Sequence, residues 1–85
     1  MEVLWQQEAV NQLVALSERD PRQARRIRDA VARYERERKG DIKKLKGRPD
    51  ELRLRTGDWR VILRTENEGR AVVLSVELRR DAYDD

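Results

Sequence analysis

The sequence predicts an α+β fold, a two-helix hairpin packed on one face of a small, mainly antiparallel sheet in the order β-α-α-β-β-β. Three observations carry that expectation. Apolar residues recur from Ala9 to Tyr34 at the 3.6-residue period of amphipathic helices. A helix start, Asp20-Pro21-Arg22-Gln23, divides that stretch in two. From Glu51 onward the period changes to two, the signature of half-buried strands. Helices with one apolar stripe and strands with one apolar face bury both by stacking in two layers.

Residues 2–5 are short and apolar and read as an edge strand. Ala9, Val10, Leu13, Val14 and Leu16 then mark a first helix that ends near Ser17–Arg19. Asp20 is a helix N-cap, Pro21 suits the first helical position, and Gln23 completes a pattern like a capping box. In the second helix Ala24, Ile27, Val31 and Tyr34 form the apolar stripe. Arg22, Arg25, Arg26, Arg28 and Arg33 are most simply its solvated face, or a contact for an acidic partner. Arg36, Arg38 and Lys39 precede Gly40, read as the terminator. Residues 41–50 hold no sustained period and contain Gly47 and Pro49, so they read as a loop.

The alternation that follows fixes a register. With Gly57-Asp58 as a two-residue turn, Thr56 pairs with Trp59, Arg55 with Arg60 and Arg53 with Ile62. Leu52, Leu54, Trp59, Val61 and Leu63 then share the core face, and Arg53, Arg55, Arg60, Ile62 and Arg64 the open one. Trp59 is on this parity a core residue rather than a stacking platform for bases; Trp5 and Tyr34 also read as packing residues. A second hairpin tip lies at residues 66–69, before a strand over residues 71–78. In that strand the bulkier Val72, Leu74, Val76 and Leu78 are expected in the core, with Ser75 and Glu77 on the arginine face.

With 85 residues, the chain is expected to form a single domain, residues 1–85, around one modest core. Although 44% of residues are charged, the net charge is only +3, so the distribution of sign matters more than the total. Residues 21–40 carry eight basic against three acidic groups, and residues 41–60 seven against four. Positive charge gathered mid-chain points to an anionic partner, either nucleic acid or an acidic peptide. The plainer reading is a solvated helix with ordinary hairpin charges. Having neither cysteine nor histidine, the chain offers no disulfide and none of the common zinc sites, and no metal or cofactor is expected. Catalysis would fall to Lys, Arg, Tyr or carboxylates. No run of apolar residues is long enough to span a membrane, and Met1-Glu2-Val3-Leu4-Trp5 lacks the character of a signal peptide. A cytoplasmic protein is expected.

Three segments carry a resemblance: Lys43-Lys44-Leu45-Lys46-Gly47, the run from Leu52 to Val61, and the ending Val76-Glu77-Leu78-Arg79-Arg80-Asp81-Ala82-Tyr83. Together they resemble the RelE/ParE superfamily of bacterial toxins over nearly the whole chain. The resemblance implies a RelE-like domain, similar in fold to small microbial ribonucleases. It also implies a toxin of a type II toxin–antitoxin module that cleaves mRNA in the ribosome and is neutralised by a cognate antitoxin. ParE-like members instead inhibit DNA gyrase, and a degenerate homologue would only bind its antitoxin. By position, the resemblance assigns catalytic roles to Arg53, Arg60, Arg79 and Tyr83, and the basic residue before the tyrosine is Arg79 or Arg80. Where RelE has a further lysine this chain has Glu51, and Leu78 stands where some relatives have histidine.

Cleaving RNA through its own 2′-hydroxyl requires a proton acceptor, cations around the phosphorane-like transition state and a proton donor for the departing 5′-oxygen. Arg53, Arg60 and Arg79 suit the middle role, since guanidinium stays charged and grips phosphate bidentately. Lys43, Lys44, Lys46, Arg55 and Arg80 are expected to hold RNA phosphates. Lysine and tyrosine side chains ordinarily keep their protons up to roughly pH 10, and a cluster of arginines favours the deprotonated form; Lys44, Lys46 and Tyr83 are the candidates for proton transfer. Tyr83 serves equally to close the core or to stack on an unpaired base.

Overall fold

Asp20 caps the second helix as its signature requires, its Oδ1 accepting a hydrogen bond from the Gln23 N–H at 3.1 Å. The computed structural model describes residues 1–67 and 69–78. Strand β1 (Glu2–Trp5) leads into helix α1 (Gln7–Arg19) and, through Asp20, helix α2 (Pro21–Glu37). Strands β2 (Asp41–Leu45), β3 (Arg48–Thr56), β4 (Trp59–Glu66) and β5 (Arg70–Leu78) follow. The sheet order is β1-β5-β4-β3-β2, with β1 parallel to β5 and every other pairing antiparallel. The expected α+β class and helix order therefore stand. No described helix is long and apolar enough to cross a membrane.

The stripe Ala24, Ile27, Val31 and Tyr34 packs with Ala9 and Leu16 of α1 onto Leu54, Val61, Leu63, Ala71, Val73 and Val76. Leu52, Trp59 and Trp5 border this core, half-buried. Truncating a fully buried member such as Ile27 costs about 2–5 kcal/mol. The β3–β4 register is the expected one: Thr56 opposite Trp59, Arg55 opposite Arg60 and Arg53 opposite Ile62. Gly57, at φ 59°, makes that turn without steric cost.

Three local expectations are corrected. Residues 41–45 are a strand, not part of a loop, and Leu45 opposite Arg48 closes a tight turn over Lys46 and Gly47. The register then shifts between Lys44 and Leu45, so Pro49, which has no N–H to donate, falls in the irregular stretch of β3. Helix α2 ends at Glu37 on a left-handed cap formed by Arg38 (φ 57°), two residues before Gly40. In β5, Ile62 pairs with Ser75 but Leu63 with Val73, which leaves Leu74 as an extra residue. This bulge switches the parity of the strand: Ala71, Val73 and Val76 are core, whereas Val72 and Leu74 turn to the open face.

The free edge of β1 and the far half of β5 are both closed by side chains. Glu35 of α2 accepts from the Val3 N–H at 2.9 Å, and Gln12 of α1 accepts from the Val76 N–H at 2.6 Å. The second contact ties the middle of α1 to β5 at the rim of the open face.

Candidate functional site

Because side chains alternate along a strand, the register assigns the face away from the helices. It carries Asp41 and Lys43 of β2, Glu51, Arg53 and Arg55 of β3, Arg60, Ile62 and Arg64 of β4, and Ser75 and Glu77 of β5. Arg53 and Arg60 thus share one face, as the sequence parity implies. Of the three candidate lysines, Lys43 joins them, opposite Arg53. Lys44 lies opposite Leu52 and points to the helix side, and Lys46 occupies the turn.

The arginines are not equivalent. Arg53 is 7% exposed, and its Nη1 donates to Asp41 Oδ1 at 3.1 Å and to the Asp41 carbonyl at 3.2 Å. Burying a guanidinium costs several kcal/mol unless it is paired, and Asp41 supplies both acceptors. Arg55 is half-buried, with its Nε shielded from solvent and making no hydrogen bond. The Arg60 side chain is 12% exposed, and its Nε donates to Glu77 Oε1 at 3.5 Å. The other oxygen of Glu77 accepts from Ser75 Oγ at 2.8 Å.

Arg60 lies in an open groove of about 410 Å³ that runs from β3 across β4 and β5 to the start of α1. Arg48, Arg64 and Glu51 line it with Arg60, Ser75 and Glu77, and Glu8 and Gln12 form its far wall. Arg48 Nη1 and Glu51 Oε1 are 3.4 Å apart, and Arg64 Nη2 donates to Glu66 Oε2 at 3.2 Å. Sequence reasoning missed Arg48, which sat in the presumed loop, Glu8, on a helix read only for its apolar stripe, and the pairing of Asp41 with Arg53. The groove gathers cations that can hold a phosphate and carboxylates that can accept a proton. Arg79, Arg80 and Tyr83 lie outside the described residues.

No protein-family model and no curated protein matches the chain. Solved structures do. A YoeB/ParE toxin from Agrobacterium tumefaciens superposes with a TM-score of 0.77 at 21% identity, covering 92% of this chain and 98% of that one. A chain of the RelB–RelE antitoxin–toxin complex from Methanococcus jannaschii gives 0.72 at 22% identity, covering 92% of each. A chain of the archaeal RelE–RelB complex from Pyrococcus horikoshii gives 0.64 at 28% identity, covering 95% and 97%. These likenesses establish a RelE/ParE-like fold, the one that the three sequence segments implied.

Proposed function

We propose that this chain, built on the RelE/ParE-like fold, is the toxin of a type II toxin–antitoxin module. In this reading it acts in the cytoplasm as a ribosome-dependent mRNA endoribonuclease and is neutralised by a cognate antitoxin. One observation supports it most: Arg60, braced by Glu77, shares a groove on the arginine-bearing sheet face with the carboxylate of Glu51. Carboxylates as a class are ionised at neutral pH, so Glu51 can accept a proton where lysine or tyrosine ordinarily cannot. We assign Glu51 to take the proton of the 2′-hydroxyl as its oxygen attacks phosphorus. Arg60 offsets the charge that develops on the phosphorane, and a 2′,3′-cyclic phosphate forms as the 5′-oxygen leaves with a proton from a donor. We assign that donor role to Tyr83, which the resemblance places among the catalytic residues together with Arg79. Arg53, sealed against Asp41, is assigned to supporting the face rather than to gripping phosphate.

The gyrase-directed reading draws on a different observation. Each of the central cations, Arg53 and Arg60, already has a carboxylate partner, which suits a protein contact as well as a phosphate. Inducing the chain in bacteria separates the two. Arrest of protein synthesis before DNA replication, with mRNA cut, supports the ribonuclease; arrest of replication with mRNA intact supports the alternative.

A further inference from the structure

The groove around Arg60 is balanced in charge. Among the described residues that line it, Arg48, Arg60 and Arg64 meet Glu8, Glu51 and Glu77. The three carboxylates thus share the groove with the cations that a polyanion would have to reach. Glu8 is exposed at the first turn of α1, forming the wall opposite Glu51, and Glu77 takes the Nε of Arg60. Attraction of single-stranded RNA to a basic surface scales with the phosphates its cations neutralise, and each carboxylate in the groove removes part of that attraction by repelling the same phosphates.

We propose that Glu8 and Glu77 are specificity-determining residues that exclude free RNA from this groove, so that only RNA positioned by another body enters it. The inference rests on the reading of the groove as an RNA site and adds what keeps unpositioned RNA out. Repulsion of this kind acts as negative selection, weakening every loose polyanion alike. It offers little resistance to a strand whose backbone is already anchored elsewhere, because the anchor supplies the binding free energy that the groove withholds.

The test measures binding of a fluorescent single-stranded 2′-O-methyl RNA, which lacks the attacking hydroxyl, so cleavage plays no part and a nuclease-inactive chain is tested equally well. Anisotropy is recorded for the parent, for Glu8→Gln/Glu77→Gln and for Glu18→Gln/Asp29→Asn, a pair of equal charge change on the helices. The parent binds weakly. The groove pair binds roughly tenfold tighter or more at low salt, and its salt dependence steepens by about 0.7 for each further phosphate contacted. The helix pair gains much less. Glu8→Gln alone, at an exposed position, gives a smaller gain and stands in should the Glu77 change unfold the chain. A parent that already binds as tightly as the groove pair, or a helix pair that gains as much, overturns the proposal. Failure of the nuclease reading is seen separately, as intact mRNA in translating extract.

Discussion

Arg53 reaches diagonally across the β2–β3 hairpin to Asp41 at 3.1 Å, the arginine side chain 8% exposed and the aspartate side chain 57% exposed. The pair joins an edge strand to the middle of the face that carries the arginines. Asp41→Ala leaves a buried guanidinium with one fewer acceptor. We expect it to destabilise the fold by about 1–2 kcal/mol, the cost of a lost charged hydrogen bond reduced by the exposure of its carboxylate. Asp41→Asn, which keeps an acceptor oxygen, recovers part of that loss. Urea denaturation of the three proteins measures both; equal stability of Asp41→Ala and the parent sinks the assignment of Arg53 as a support.

Gly40 sits at φ +148°, and a Cβ built on it would lie 2.7 Å from Cδ1 of Leu54. Leu54 is 1% exposed and held on all sides by the core, so it cannot swing away cheaply. Gly40→Ala is expected to cost about 2–3 kcal/mol through backbone strain and overpacking together. Thermal unfolding that matches the parent would show that the loop between α2 and β2 has another conformation open to it.

Glu51→Gln removes the proton acceptor while retaining the shape of the side chain. Cleavage of translated mRNA should fall about 10²–10⁴-fold, the usual contribution of a positioned base, with folding unchanged by circular dichroism. Activity within threefold of the parent would return the role of the base to Lys46 or Tyr83, since Lys44 points to the helix side.

The parts of the fold legible in the sequence are those where side-chain pattern and turn chemistry agree. Gly57-Asp58 with alternating leucines and arginines on one side and Trp59, Val61 and Leu63 on the other allows one register, and the pairs form as read. Strand β2 was hidden because an exposed edge strand with one half-buried residue, Ile42, before its buried end at Leu45 leaves no alternation to detect. Its ladder with β3 is what defines it. The parity of β5 was hidden for the opposite reason: Ala71 to Leu74 is apolar on both faces, so nothing in the pattern marks the bulge at Leu74. The partner of Arg53 followed from the missed strand, since Asp41 lay in a stretch read as loop.

The most direct test of the central claim uses the purified chain in a translating extract, with the 5′ ends of one reporter mRNA mapped before and after addition. New ends are expected within translated codons, absent when ribosomes are removed. Also expected is a loss of about 10²–10³-fold with Arg60→Ala, the scale of one lost donor at a developing oxyanion, and a marked loss with Tyr83→Phe. Arg70→Ala, whose exposed side chain pairs with Glu2 at 3.1 Å and does not line the groove, should cleave as the parent does. Intact mRNA with the parent, or cleavage that survives Arg60→Ala undiminished, would contradict the account.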